Sequence, residues 1–196
     1  GFGGAGNTAL YLNRYLESIG WLHYRDGNRP VGGHRTGSSG VDRLKSAALR
    51  HLPPRAQEQL VRRMPKSLLN RIESTSRYGD IDFSKTRAWS DEMNYAATIH
   101  LNLKGRDPSG QIENKQEAIS TLEDALLDWR VNGRQVVREV IPAAKAYRGS
   151  FLTGAADLIL ELNLEDNYTY TLLPSQRAEQ GQTWRHFEPH EYAGGK

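Results

Sequence analysis

From Ala97 to Lys104 the chain alternates. Ala97, Ile99, Leu101 and Leu103 fall on one face at period two, and Thr98, His100, Asn102 and Lys104 fall on the other. This is the pattern of a strand with one face on a core. Gly105 ends the run. Asp107-Pro108-Ser109-Gly110 then reads as a turn, because Pro108 fixes φ and Gly110 supplies a permissive corner. The polar face delivers Asn102, Lys104 and Arg106 toward the strand's carboxyl end, the usual place for a ligand in an open α/β sheet. Those three are the candidate substrate-binding residues.

Around this stretch the periodicity sets out a mixed α/β (α+β) chain. A helix is expected from Asn7 or Thr8, as cap, to about Ile19, with Leu12, Tyr15, Leu16 and Ile19 as its stripe and Gly20 as its C′ residue. Residues 26–40 are rich in turn dipeptides and read as a solvated loop that includes His34 and Arg35. Three short amphipathic helices broken by Pro53-Pro54 and Pro65 come next, and extended chain returns from Tyr78 to Thr86. Asn114, with Glu117 three residues on, caps a helix to Val131 whose stripe is Ala118, Ile119, Leu122, Ala125, Leu126 and Trp129. Asn132-Gly133 is a turn, Gln135–Ile141 a β-branched strand ended by Pro142, and Ala156–Leu162 a strand apolar enough for burial on both faces. Tyr168–Leu173 alternates as a last strand, and residues 176–196 read as irregular. The organisation is 1–27, a basic helical insertion or cap over 28–77, and 78–196.

Composition narrows the function classes. With 37% hydrophobic and 25% charged residues, the 196-residue chain is globular but on the polar side. No run of about 18 apolar residues is present, so a membrane span is not expected. The absence of cysteine removes disulfides and thiolate metal sites and fits a reducing cytoplasm. The net charge of +3 conceals a basic segment, Arg29–Glu73, with ten Lys and Arg against three Asp and Glu. Interleaved with Leu and Pro, it reads first as the wet face of a helical insertion, with nucleic acid not expected as a partner.

Two groups invite a metal reading. Asp80 and Asp82 share a face if their stretch is a strand, but no third ligand lies nearby in the sequence. His186 and His190 are four apart, with Glu188 between them. Pro189, directly before His190, disfavours the helix that would align them. No metal ligand is therefore assigned in this chain. The glycine-rich start, Gly-Phe-Gly-Gly-Ala-Gly, fits neither a P-loop nor a Rossmann turn.

Asn102-Leu103-Lys104-Gly105-Arg106-Asp107-Pro108, with an acidic helix start soon after it, resembles a segment of the alkaline phosphatase superfamily. The branch is that of type I phosphodiesterases and nucleotide pyrophosphatases, with its phosphohydrolase/phosphomutase members. Gly1-Phe2-Gly3 resembles the residues that come directly after a Ser-Asp-His ligand motif in that branch. Leu12–Leu16 matches a helix, Ala156-Asp157-Leu158-Ile159 a strand, and Tyr192–Lys196 the approach to a later metal-binding His. The resemblance covers most of the chain and is loose between about Asn28 and Tyr78. It implies part of an α/β/α sandwich with a helical cap, and a chemistry of in-line displacement at phosphorus by a hydroxyl assisted by two divalent ions, zinc or manganese. The nucleophile and ligands are expected before Gly1 and after Lys196. The chain itself would then supply scaffold and cap, with no catalytic residue of its own. Its partners would be a small phosphoester and the remainder of the parent chain. The alternative is a non-catalytic binding module that uses segment 29–73 for an anionic partner.

Overall fold

The computed structural model describes residues 7–25, 78, 80–92, 96–149, 155–164 and 169–188. In chain order the elements are β1 (Thr8–Leu10), α1 (Leu12–Ser18), β2 (Ala88–Trp89), β3 (Thr98–Leu101), α2 (Lys115–Leu127), β4 (Arg130–Val131), β5 (Arg134–Gln135), β6 (Val137–Pro142), α3 (Ala143–Ala146), β7 (Leu158–Leu162), β8 (Tyr170–Leu172), a 3-10 turn (Ser175–Arg177) and β9 (Trp184–His186). The class is mixed α+β. Apart from Tyr78 and Asp80, the described residues belong to one compact unit, and a second spans residues 33–80. The expected insertion 28–77, with its basic segment and His34 and Arg35, lies outside the described residues. No helix among those described is long and apolar enough to cross a membrane.

Near its start the chain departs from the expected helix. Thr8–Leu10 is a strand, running parallel to β8 on one side and antiparallel to β9 on the other. Both partners lie more than 150 residues away in sequence, so local periodicity carries no sign of them. Asn7 seals the pairing: its side-chain oxygen accepts the Thr169 N–H at 3.0 Å, and its own N–H reaches Thr169 Oγ1 at 2.9 Å. The helix begins only at Leu12. It ends as expected, with Gly20 at φ 74°, Trp21 N–H on Leu16 O and Gly20 N–H on Glu17 O, the paired bonds that close a helix through a left-handed glycine.

The central strand β3 behaves as its pattern demands, with Ala97, Ile99 and Leu101 buried and Thr98 and His100 half-exposed. It sits in a four-stranded antiparallel sheet of order β2-β3-β7-β6. Helix α2 packs on β6 and buries Ala118, Ile119, Leu122 and Leu126. Its cap is the expected one: Asn114 accepts the Glu117 N–H, and its amide donates back to the Glu117 carboxylate. Asn132 and Gly133, at φ 50° and 77°, form the two-residue turn of the β4–β5 hairpin, where two left-handed residues match the strand twist.

Three further expectations are corrected. Strand β7 buries Leu158 and Leu160 but leaves Ile159 and Glu161 half-exposed, because an antiparallel sheet has one covered face rather than two. Residues 83–85 are a turn rather than extended chain, with Lys85 and Thr86 N–H both on Asp82 O. The stretch read as irregular after Gln176 contains β9, whose partner β1 lies at the other end of the sequence.

Candidate functional site

The loop that leaves β3 is closed by its own side chains. Asp107 accepts the Leu103 N–H at 2.7 Å and returns its own N–H to Leu103 O at 2.9 Å. Gly105, at φ 80°, turns the corner between them. Gly110 is required by space: a Cβ there would collide with the Leu103 carbonyl and the Lys104 nitrogen.

The three candidate residues take separate partners. Asn102 is buried rather than open to a ligand, and its amide nitrogen points at three carbonyls, Phe83 O (2.9 Å), Thr86 O (2.7 Å) and Ser109 O (3.1 Å). It ties the loop to residues 83–86. Lys104 is exposed and pairs with Glu113 at 2.5 Å. This hydrogen bond holds the Glu113 carboxyl below the usual range.

Arg106 turns back to Asp157, which stands at the head of β7. Asp157 also accepts from Lys115 Nζ (2.6 Å) and from Leu101 N–H (2.8 Å). The Asp157 side chain is only 3% exposed, whereas Arg106 and Lys115 keep 33% and 50% of theirs in solvent. Burial pushes the Asp157 acid upward, but the bonds from Arg106, Lys115 and the Leu101 amide outweigh it, and the net shift is downward. Burial likewise works against the Arg106 guanidinium, and Asp157 and Asp107 outweigh it, so the net shift is upward. The arrangement presents two half-open cations on one buried anion. Asp157 falls inside the strand expected over Ala156–Leu162, whereas β7 begins at Leu158 and leaves the acid at its head. Its one local signal was a lone acid at the head of an apolar run.

A second cluster surrounds a tight corner at residues 90–92. Glu92 is buried, with backbone φ 48°. Its carboxylate accepts Asn13 N–H (2.9 Å), Ser175 N–H (2.6 Å) and Ser175 Oγ–H. Ser175 Oγ in turn accepts Arg14 N–H at 3.0 Å. Helix α1 has no side-chain cap of its own at Tyr11, so Glu92 and Ser175 supply it from elsewhere in the chain. Burial raises the Glu92 acid above its ordinary value, against the hydrogen bonds that lower it. Burial also raises the Tyr24 phenol, with Glu92 the next cause. Beside the corner, Asp91 faces His100 Nε2 at 3.1 Å, and Trp89 stacks on the His100 ring.

Of the metal candidates, Asp82 and His186 are otherwise engaged. Asp82 accepts from Ser84 Oγ (2.6 Å) and Ser84 N–H (3.1 Å), which hold its carboxyl below the usual range. His186 lies against Thr8 Oγ1 (3.3 Å) and Asn132 Nδ2 (3.0 Å), and His190 lies outside the described residues. No group of three His, Asp or Glu side chains able to hold a metal ion occurs among the described residues. They therefore supply no ligand set for the ions the resemblance implies. Comparison with family models, curated proteins and solved structures returns no match.

Proposed function

We propose that the chain is the scaffold and cap of a metal-dependent phosphoester hydrolase of the phosphodiesterase/nucleotide pyrophosphatase kind, with the nucleophile and metal ligands carried by the rest of the protein. The observation that supports this reading is the pairing of β1 with β9. Thr8 stands opposite His186, and Phe187 donates its N–H to Asn7 O at 3.0 Å. Two strands that run in opposite directions bring the amino end of one beside the carboxyl end of the other. The resemblance requires this juxtaposition, because one ligand pair is expected ahead of Gly1 and another His after Lys196, and both must serve one centre. Gly1 lies six residue steps before Asn7, a reach of at most about 21 Å.

On this reading the four-stranded sheet and α2 are layers of the expected α/β/α sandwich. Lys104 and Arg106 are the candidate phosphoester contacts, and Asn102 holds their loop in place. The phosphoryl-transfer step itself belongs, on this reading, to residues elsewhere in the protein. The test is hydrolysis of bis(p-nitrophenyl) phosphate with manganese or zinc, by this chain and by a longer form that continues past both ends. Turnover by the longer form alone supports the reading. Turnover by neither removes its main support, and turnover by the short chain would move the ligands onto Asp80, Asp82, His186 and His190.

A further inference from the structure

The corner at residues 90–92 points its three side chains in different directions. Asn13 brackets Ser90 as a neighbouring strand would, with its amide nitrogen on Ser90 O (2.8 Å) and its oxygen on Ser90 N–H (2.7 Å). Glu92 N–H closes on Ser90 Oγ at 3.1 Å, and the Glu92 carboxylate is anchored on α1 and Ser175. A left-handed backbone at a residue other than glycine is costly and persists only where its surroundings hold it. Here it leaves Asp91 facing away from that anchor, toward His100 on β3.

His100 is fixed on three sides. Its backbone is in the sheet, opposite Trp89. Its ring lies flat against the Trp89 indole, 5.2 Å between centres and 13° between planes, and Phe83 braces the indole edge-on. Its Nε2 is held by Asp91 Oδ2. A carboxylate oxygen only accepts, so in the neutral ring the proton belongs on Nε2 and the lone pair on Nδ1. Nδ1 has no hydrogen-bond partner among the described residues, and the side chain keeps 17% of its surface in solvent. An imidazole oriented by an acid at one nitrogen and open at the other is built for proton transfer.

We propose that Asp91–His100 is an acid–base site, with His100 Nδ1 as the proton acceptor and a hydroxyl group, of water or an alcohol, as the group it takes. In the step the O–H bond breaks and its electron pair stays on oxygen. The proton goes to Nδ1, the ring becomes imidazolium, and Asp91 balances the charge through Nε2–H. The proton on Nδ1 is then available to a departing oxygen, which restores the neutral ring. Asp91 acts through His100, as its positioning residue. The site does not depend on the phosphoester reading.

Two measurements on the 196-residue chain test this. Nitrogen-15 NMR of the histidine rings identifies the His100 tautomer in the unaltered protein. Diethyl pyrocarbonate, which acylates the unprotonated nitrogen, then probes the reactivity of His100 against His23 and His186, read by mass spectrometry. The expected result is a neutral His100 ring with its proton on Nε2, and an acylation rate at His100 that falls at least roughly tenfold in Asp91→Asn, with the other two histidines unchanged. A proton on Nδ1 in the neutral ring, or a rate at His100 indifferent to Asp91→Asn, overturns the proposal. Should the variant not fold, the tautomer of the unaltered protein decides.

Discussion

Arg106 holds Asp157 with both terminal nitrogens of its guanidinium, at 2.9 and 3.0 Å. The pair joins the loop after β3 to the head of β7, and Lys115 adds the first turn of α2 to the same carboxylate. Removing the acid leaves two cations and the Leu101 amide without their common acceptor. Asp157→Asn is expected to cost about 3 kcal/mol at neutral pH, the scale for breaking a buried pair from one side. Because the folded acid sits below its unfolded value, its contribution is present above the unfolded value and is lost as pH falls through the folded one. Urea unfolding of both proteins across acid pH should show their stabilities converging below the unfolded value. A constant difference would place the cost in packing rather than charge.

Glu92 runs the other way. Its acid is raised by burial, so its contribution is full below the unfolded value and declines as pH rises through the raised one. Glu92→Gln keeps the shape but sets an NH2 donor against the Asn13 or Ser175 N–H, where the neutral acid still offers a hydroxyl oxygen as acceptor. The expected loss is on the order of 1–2 kcal/mol in acid, narrowing as pH rises. Thermal midpoints of the two proteins between mildly acidic and neutral pH check this. A gap that widens with pH would contradict the assignment.

Gly110 and Gly105 lie five residues apart in one loop and answer to different constraints. At Gly110 a methyl group meets the backbone of Leu103 and Lys104, which cannot move aside without opening the loop. At Gly105 nothing lies within 4 Å and only the φ of 80° resists. Gly105→Ala should cost about 1 kcal/mol, and Gly110→Ala about 3 kcal/mol. Chemical denaturation ranks them. The reverse order would mean that the loop is set by backbone angle rather than by close approach.

Elements that are local in sequence were legible in it. The Asn114–Glu117 cap, the Asn132-Gly133 turn, the alternation through Ile99 and Leu101 and the left-handed Gly20 each arise from residues a few positions apart. The features that escaped depend on distant partners. Thr8-Ala9-Leu10 carries no strand signature of its own and becomes one because β8 and β9 satisfy both its edges. Among the candidate site residues, Arg106 was visible as a cation at a strand end, but its partner Asp157 lies 51 residues on. Asn102 was placed on a ligand-facing side by period two, yet the turn at residues 83–85 lies over it and takes its amide. Glu92 gave no signal at all, since both helical turns it caps lie more than 75 residues away.

On the proposed function, the amino end of β1 and the carboxyl end of β9 frame a phosphoester-hydrolysing centre. The most direct test of this is the release of p-nitrophenol from bis(p-nitrophenyl) phosphate by the longer protein, with manganese or zinc added and then removed by chelation. The expected result is turnover that needs the metal, stops on chelation and is absent from the 196-residue chain alone. A longer protein that folds, binds neither metal and leaves the diester intact would contradict the claim.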